Sequence, residues 1–452
     1  MRILESAALS IDKYIARVAE LFDFSRGRIA PGTLTKVAWP GLIQSLARQA
    51  NEGFIGIIGT NGKHTTCRIL AAILRQSDAR TLYPEHITPS IDDVASTLVQ
   101  ATDTRGRIHA DYGIFGFETE MLGQAIRLCS PHTLVLSNLY EDEVKPEISP
   151  GKLIGEWNNW FGDMPAGNNI LVNADDPNLT GAFTRGFPPQ LIYFGVEDET
   201  LHLEHGPKPV VPCQRCGTSL TYRINCLGHL GDYACENCRW ERPLPTIYAI
   251  DVRLETQRSC FRLITPKGPL DVSLPLSGLH NVYNATAAAA TAFSLGLNPA
   301  AIRMGLETVK PPEGRDERVL IHGREARLMV IKNRTSLHES LRTCMLDNKR
   351  EHYLFLLDNA VHEGSKKPWI EDTDLEGILD RAKSFHLAGS GGAHLSLMNE
   401  QMDGEEMALA MDASDIFHDI MRRLTPGDRL WVLATKNTMF IIRQELKEMG
   451  IQ

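Results

Sequence analysis

Phe54 to Ile58 reads FIGII, an apolar run of strand length, and Gly59-Thr60-Asn61-Gly62-Lys63-His64-Thr65-Thr66 and a helical stretch, Cys67 to Gln76, follow at once. Strand, glycine turn and helix form the opening unit of a nucleotide-binding α/β domain. In that setting successive backbone N–H groups and the helix N-terminus form a nest for an anion, and a lysine reaches terminal phosphates. The glycines let the backbone approach the ligand. A short glycine motif by itself also fits an ordinary βα turn. Strand, GTNGK and helix together point to a nucleotide site. The next residue breaks the usual pattern, which places Ser or Thr after the lysine to ligate Mg²⁺. Here that residue is His64, and imidazole is a poor ligand for a hard cation. Either Thr65 substitutes through a local shift, or metal binding is weakened.

Further strands are expected at Gly113–Phe117, Thr133–Ser137, Asn169–Val172 and Gln190–Phe194, with helices such as Glu120–Leu128 between them. That alternation predicts a mostly parallel sheet. Ile247–Asp251 and Phe261–Ile264 read as antiparallel strands, and Asn281–Leu295 as an alanine-rich helix able to pack closely on a sheet. Pro311, Pro312 and Gly314 mark a linker. Beyond it, strands at Leu328–Lys332, Tyr353–Leu357, Phe385–Ala388 and Leu430–Ala434 alternate with helices at Ser336–Leu346 and Ser414–Leu424, a second and smaller α/β domain. At 452 residues the chain is too long for one ordinary core.

The segment from Gly206 to Pro245 interrupts this rhythm and holds four of the nine cysteines. Cys213-x₂-Cys216 and Cys235-x₂-Cys238 have the spacing of a four-thiolate zinc site, each pair offering two sulfurs from one turn. A closed sulfur shell leaves no open position, so the expected role is structural. Cys226 and His229, between the pairs, are expected to be packing residues, as are Cys67, Cys129, Cys260 and Cys344.

The net charge of −9 disfavours nucleic acid as the main ligand. No stretch reaches 18 apolar residues, the length of a membrane span. The first 22 residues read as an amphipathic helix without the apolar core of a signal peptide. Cysteines without an export signal fit a reducing compartment, so the expected location is cytoplasmic.

Several motifs occur in the order seen in Mur ligases: GTNGK after a strand, Asn138 in SNL, Asn173-Ala174-Asp175-Asp176-Pro177, and Gly278-Leu279-His280-Asn281-Val282-Tyr283-Asn284. The cysteine ribbon ending in Arg242-Pro243 and the stretch from Gly314-Arg315 onward resemble the MurT-type subunits of that family. The resemblance spans nearly the whole chain. It implies an α/β fold with a Mur-ligase-type central P-loop domain (46–311) carrying an inserted four-cysteine zinc ribbon (206–245). An N-terminal segment (1–45) precedes it, and a C-terminal Rossmann-like α/β domain (312–452) follows. It also implies an ATP-dependent carbon–nitrogen ligase that works with a GatD-type glutamine amidotransferase. The α-carboxyl of D-glutamate in lipid II would be amidated through an acyl phosphate, as part of peptidoglycan biosynthesis.

By that resemblance Gly59, Thr60, Asn61, Gly62, Lys63 and Thr65 would cradle ATP, with Lys63 on the β- and γ-phosphates, and Glu118 would hold Mg²⁺. Asn284 would lie near the adenine, Arg315 near the nucleotide and Asp176 on the ribose side. The sequence departs from the family at His64, at Glu118-Thr119-Glu120-Met121, at Lys332-Asn333-Arg334-Thr335-Ser336, at Glu363–Trp369, where Lys366 reverses an expected acidic charge, and at Ser390–Ala393, which lacks an arginine. These departures keep two other readings open: a ligase acting on a different carboxylate, and a non-catalytic nucleotide-binding scaffold.

Overall fold

The structure is a computed structural model and describes residues 40–84, 91–140, 150–162, 164–165, 167–183, 190–202, 210–311, 314–347, 349–358, 370, 375–389 and 413–451. The N-terminal amphipathic helix, Lys366 with its neighbours 363–369, and 390–393 lie outside these residues.

Among the described residues the larger sheet has nine strands in the order β11-β10-β9-β6-β5-β4-β1-β3-β2. At its centre β1 (Gly53–Ile58) lies parallel to both β3 (Tyr112–Phe117) and β4 (Thr133–Leu136). These strands are apolar without alternation because both of their faces are covered, as parallel sheets require. β2 (Thr81–Leu82) forms one edge. On the other side follow β5 (Asn169–Asn173), β6 (Gln190–Val196) and β9 (Ile247–Leu254), all parallel. The antiparallel strands β10 (Ser259–Ile264) and β11 (Leu270–Leu274) extend the sheet.

One face is covered by α2 (Lys63–Arg75), α7 (Leu279–Ser294) and α8 (Pro299–Thr308). In α7, Ala285, Ala287, Ala288, Ala289, Ala290 and Ala292 are all fully buried, so short side chains let it sit between α2 and the strands. Gly305 of α8 meets α2 so closely that an added Cβ would stand 2.4 Å from the Ile73 Cα. The opposite face carries α1 (Pro40–Ala47), α3 (Ile91–Gln100), α4 (Leu122–Cys129) and α5 (Pro150–Gly162).

Between β6 and β9 the chain leaves the sheet. The short helix α6 (Pro177–Thr180) lies beyond β5, and β7 (Thr221–Leu227) pairs with β8 (Leu230–Ala234) in a two-stranded hairpin flanked by the cysteine pairs. The smaller sheet runs β12 (Arg315–Ile321), β13 (Arg324–Val330), β16 (Arg429–Ala434), β14 (Glu351–Leu356), β15 (Ala382–Ala388). Only the β12–β13 pair is antiparallel. α9 (Arg334–Cys344) and α10 (Glu376–Leu379) cover one face; α11 (Ala413–Arg423) and α12 (Lys436–Glu448) cover the other.

The order of the larger sheet fixes where a ligand can sit. The chain proceeds from β1 outward to β2 and β3, then crosses to the other side of β1 with β4. Ligands of open parallel sheets bind at the carboxyl ends of strands at such a reversal. There the Gly59 loop after β1 and the Ser137–Tyr140 loop after β4 lie side by side.

Candidate functional site

Gly62 takes a positive φ of 84° and ends the loop, and α2 begins at Lys63. Its missing side chain is required twice, because a Cβ would lie 2.0 Å from the Asn284 Oδ1. Gly59 is equally confined, 2.1 Å from the Ser137 Oγ by the same construction. Asn138 clamps the loop from β4: its Oδ1 accepts from the Asn61 N–H (2.8 Å) and its Nδ2 donates to the Asn61 carbonyl (3.0 Å). The Thr60 N–H donates to the Asn138 carbonyl, and the Tyr140 N–H donates to the Thr60 Oγ1.

Lys63 is buried. Its Nζ donates to the Gly59 carbonyl (2.5 Å), to the Thr60 carbonyl (3.2 Å) and to the Glu118 Oε2 (2.7 Å). Glu118 stands just beyond β3 with its side chain 38% exposed, so the ammonium links the loop to a solvent-facing carboxylate. The helix starts regularly: the Thr66 N–H donates to the Gly62 carbonyl (2.9 Å), and the Thr66 hydroxyl contacts the same carbonyl and the Asn284 Oδ1. No local shift brings Thr65 to the position of His64.

The His64 ring is held neutral, its pKa pulled down to about 2 by burial and then by the positive charges of Arg315, Lys63, Lys332 and Lys436. Its Nε2 is buried and makes no hydrogen bond. Of the groups at this corner, Glu118 fits Mg²⁺, which takes one or two carboxylates together with substrate phosphates. His64 does not.

The smaller sheet's side of the molecule reaches the loop directly. The Lys332 Nζ donates to the Thr60 carbonyl (3.1 Å), and the Asn61 Nδ2 donates to the Asn333 Oδ1 (3.4 Å). Asn333 also caps α9 in a reciprocal capping box with Ser336. Deeper in, the buried Arg327 Nε donates to the Asp316 Oδ1 (2.5 Å), whose Oδ2 accepts from the Ser277 N–H. A cleft opens between the two sheets, its ~980 Å³ of empty space continuous with solvent. Asn61, Gly62, Thr65, Asn138, Asn284, Arg315 and Lys332 line its polar side, with Phe194, Leu227, Leu230, Leu276 and Tyr283 on the apolar side. Its mixed lining suits a ligand with one charged and one apolar part.

Of the residues singled out from sequence, Asn61, Gly62, Thr65, Asn284 and Arg315 therefore share one cleft, with Gly59, Thr60, Lys63 and Glu118 at its loop end. Asn284 sits against Gly62 and Thr66, nearer the loop than a purely base-side residue. Asp176 is not part of the cleft. Fully buried, it caps α6 by accepting from the Asn178 N–H (2.9 Å) and Leu179 N–H (3.2 Å), and accepts from the Leu139 N–H (2.7 Å). Its neighbour Asp175 is equally buried, receiving the Arg242 Nε (2.7 Å), the Tyr283 Oη (2.7 Å) and the Val196 N–H (2.9 Å). Sequence reasoning did not single out Lys332 and Asn333 as loop contacts or Asn138 as its clamp.

The four cysteines come together: Cys213, Cys216, Cys235 and Cys238 have sulfurs all within 4.8 Å of one another. The Cys213–Cys238 and Cys216–Cys235 sulfur separations are both 3.5 Å. A tetrahedron with Zn–S bonds of ~2.3 Å has edges of about 3.8 Å, so the cluster fits a four-thiolate metal. Burial pushes the Cys67, Cys129 and Cys226 thiols up to about 12, as inert packing residues require.

No protein-family model matches the chain. It is 26% identical over 361 residues to the MurT subunit of lipid II isoglutaminyl synthase from Streptococcus pneumoniae, covering 78% of this chain and 77% of that one. The chain is similar to MurT. The Staphylococcus aureus (strain COL) MurT subunit is 23% identical over 375 residues, 80% of each chain. Among solved structures, the MurT-like chain is similar to MurF from Acinetobacter baumannii (TM-score 0.68, 18% identity, 92% of this chain and 81% of that one). It is also similar to a pseudomurein peptide ligase from Methanothermus fervidus (TM-score 0.64, 22% identity, 89% and 80%). Its fold is thus that of Mur ligases, an α/β architecture with parallel sheets. No helix of the described residues is long and apolar enough to cross a membrane.

Proposed function

We propose that this chain is an ATP-dependent carbon–nitrogen ligase that amidates the α-carboxyl of the D-glutamate in lipid II, in peptidoglycan biosynthesis. The observation that carries the reading is the joint construction of the loop end. The loop is clamped at Asn61 by Asn138, Lys63 is pinned to Glu118, and Lys332 and Asn333 from the other sheet reach Thr60 and Asn61. The relationship to MurT supplies the substrate and the reaction.

In the reaction a carboxylate oxygen attacks the γ-phosphorus of ATP and ADP leaves with the P–O bonding pair. Ammonia then attacks the acyl carbon, inorganic phosphate departs, and the added nitrogen gives up a proton to yield the amide. The N–H groups at the helix start, from Gly62 and Lys63 onward, hold the phosphates, and Lys63, moving from the loop carbonyls to the nucleotide, follows the charge that develops on the γ-phosphoryl group. Arg315 and Lys332 add positive charge from the second wall. Mg²⁺, with Glu118 as its protein oxygen, would supply further charge neutralisation. Thr60, Asn61 and Asn284 shape the loop and its mouth. Asp176 has a capping role.

Ammonia would come from a GatD-type glutamine amidotransferase partner. The four cysteines would hold a structural zinc ion, making 206–245 a ribbon inserted in a central domain of 46–311. The segment 1–45 would precede that domain, and a Rossmann-like domain, 312–452, would follow it. The location would be cytoplasmic.

The test is Mg²⁺-dependent ADP release by the zinc-loaded chain with lipid II and ammonium, which removes the need for the amidotransferase. Release that depends on lipid II and disappears in Lys63→Ala supports the ligase. ATP binding without release, which the neutral His64 beside Lys63 would favour, points to the nucleotide-binding scaffold.

A further inference from the structure

The cysteine module reaches far beyond its sulfurs. The cysteine pairs flank the open end of the β7–β8 hairpin, and its tip, Gly228–His229, lies at the other end, up to ~23 Å along a seven-residue strand. Leu227 and Leu230, on either side of that tip, are buried and line the same cleft as the phosphate-type loop, alongside Phe194 and Tyr283.

The tip is fixed from three directions. The His229 ring stands edge-on to Tyr140 at 4.9 Å, and its Nε2 lies 3.0 Å from the Asp176 Oδ1. Gly228 leaves no room beside Tyr140, whose ring a Cβ would meet at 3.1 Å, and stands near Thr335 of α9. The Arg342 Nη1 of α9 donates to the Cys226 carbonyl (3.3 Å). The hairpin base is tied in as well: Arg242, just after the last cysteine pair, reaches Asp175, which also receives the Tyr283 hydroxyl from the cleft wall.

We propose that the hairpin tip is the wall against which the base of the bound nucleotide packs, with Leu227 and Leu230 setting affinity for the nucleoside part while the Gly59–Lys63 loop sets affinity for the phosphates. The inference rests on the nucleotide reading above and adds an element to it: the inserted module is a working part of the ligand site. A flat heterocycle suits this apolar lining because its faces are apolar and its edges carry the polar atoms. The two leucines offer methyl groups to a face and no hydrogen bond, so this wall selects for a base without reading its edge.

The test separates the base from the phosphates. Binding of ATP and of inorganic tripolyphosphate, the latter read as competition against ATP, is measured for the metal-loaded full chain, for Leu230→Ala and for Leu227→Ala. Bound zinc per chain serves as the check that the module remains folded. ATP affinity is expected to fall roughly tenfold in each variant, with zinc content and tripolyphosphate affinity unchanged. Unchanged ATP affinity in both variants overturns the inference, as does an equal loss for the two ligands with zinc retained. A wild-type chain that binds neither ligand overturns the nucleotide reading itself, and this inference with it.

Discussion

The phosphate-type loop and the hairpin tip line one cleft but are held by different means. The loop is fixed by backbone hydrogen bonds and by side chains close enough to forbid a methyl group, with Asn138 on one flank and Asn284 on the other. The module bearing the tip is anchored by an ion pair sealed from water, Arg242 on Asp175, and by the His229 ring packed edge-on against Tyr140. A crowded backbone is sensitive to shape, and a buried ion pair is sensitive to the loss of either partner. The two walls should therefore fail under different substitutions.

The largest effect is expected at the charged anchor. Burial already pushes the Asp175 carboxyl up, although Arg242 pulls it down. Arg242→Ala leaves that carboxylate without its cation in the interior, costing about 3–5 kcal/mol in urea unfolding. A loss below ~1 kcal/mol would mean the pair does not anchor the module. Gly62→Ala comes next, at about 2 kcal/mol, from left-handed backbone at φ 84° and the encounter with Asn284. ATP affinity should fall with it; intact affinity would show that the loop can give way.

Asp176→Ala is expected to cost about 1–2 kcal/mol in urea unfolding through the lost cap. A loss below ~0.5 kcal/mol would show that α6 does not depend on this carboxylate. The last effect depends on pH and belongs to His64. Its folded pKa of about 2 lies below the ordinary value of 6.5, so the unfolded chain takes up the proton first. The stability this ring contributes is present above pH 6.5 and is lost as the pH falls toward 2, at no more than about 1.4 kcal/mol per pH unit. Unfolding midpoints of His64→Thr should decline less between pH 6.5 and 5 than those of the wild type. Parallel declines would remove the ring from the acid response.

How far the sequence discloses this arrangement depends on whether a feature is local. The strand, GTNGK and helix are contiguous and found where expected, with the helix starting four residues earlier, at Lys63, because the loop ends directly in its first turn. The cysteine pairs are equally legible, since each pair comes from one turn. The expected antiparallel pair after the module is present as β9 and β10, but β9 also continues the parallel sheet beside β6. The hairpin formed by β12 and β13 escaped notice, although His322-Gly323, both at positive φ, is a turn signal of the kind that joins such strands. Asp175 and Asp176 show the limit: neighbours in one motif, both are fully buried, and only the fold reveals which groups they serve. The Lys332–Thr60 contact joins residues 272 positions apart, and no spacing rule reaches that far.

The place where the chain leaves the larger sheet has a consequence for how such a protein could arise. β6 ends at Val196 and β9 begins at Ile247, yet Val196 sits in register with Ala249 on the adjacent strand. About 50 residues thus depart and return across a gap of one strand spacing, ~4.8 Å. A parallel connection needs roughly 12 residues in any case, and lengthening it to 50 is two doublings, an entropic cost of about 1.2 kcal/mol. At that modest cost an ancestral crossover could have acquired a metal-binding insert without disturbing the register of any strand.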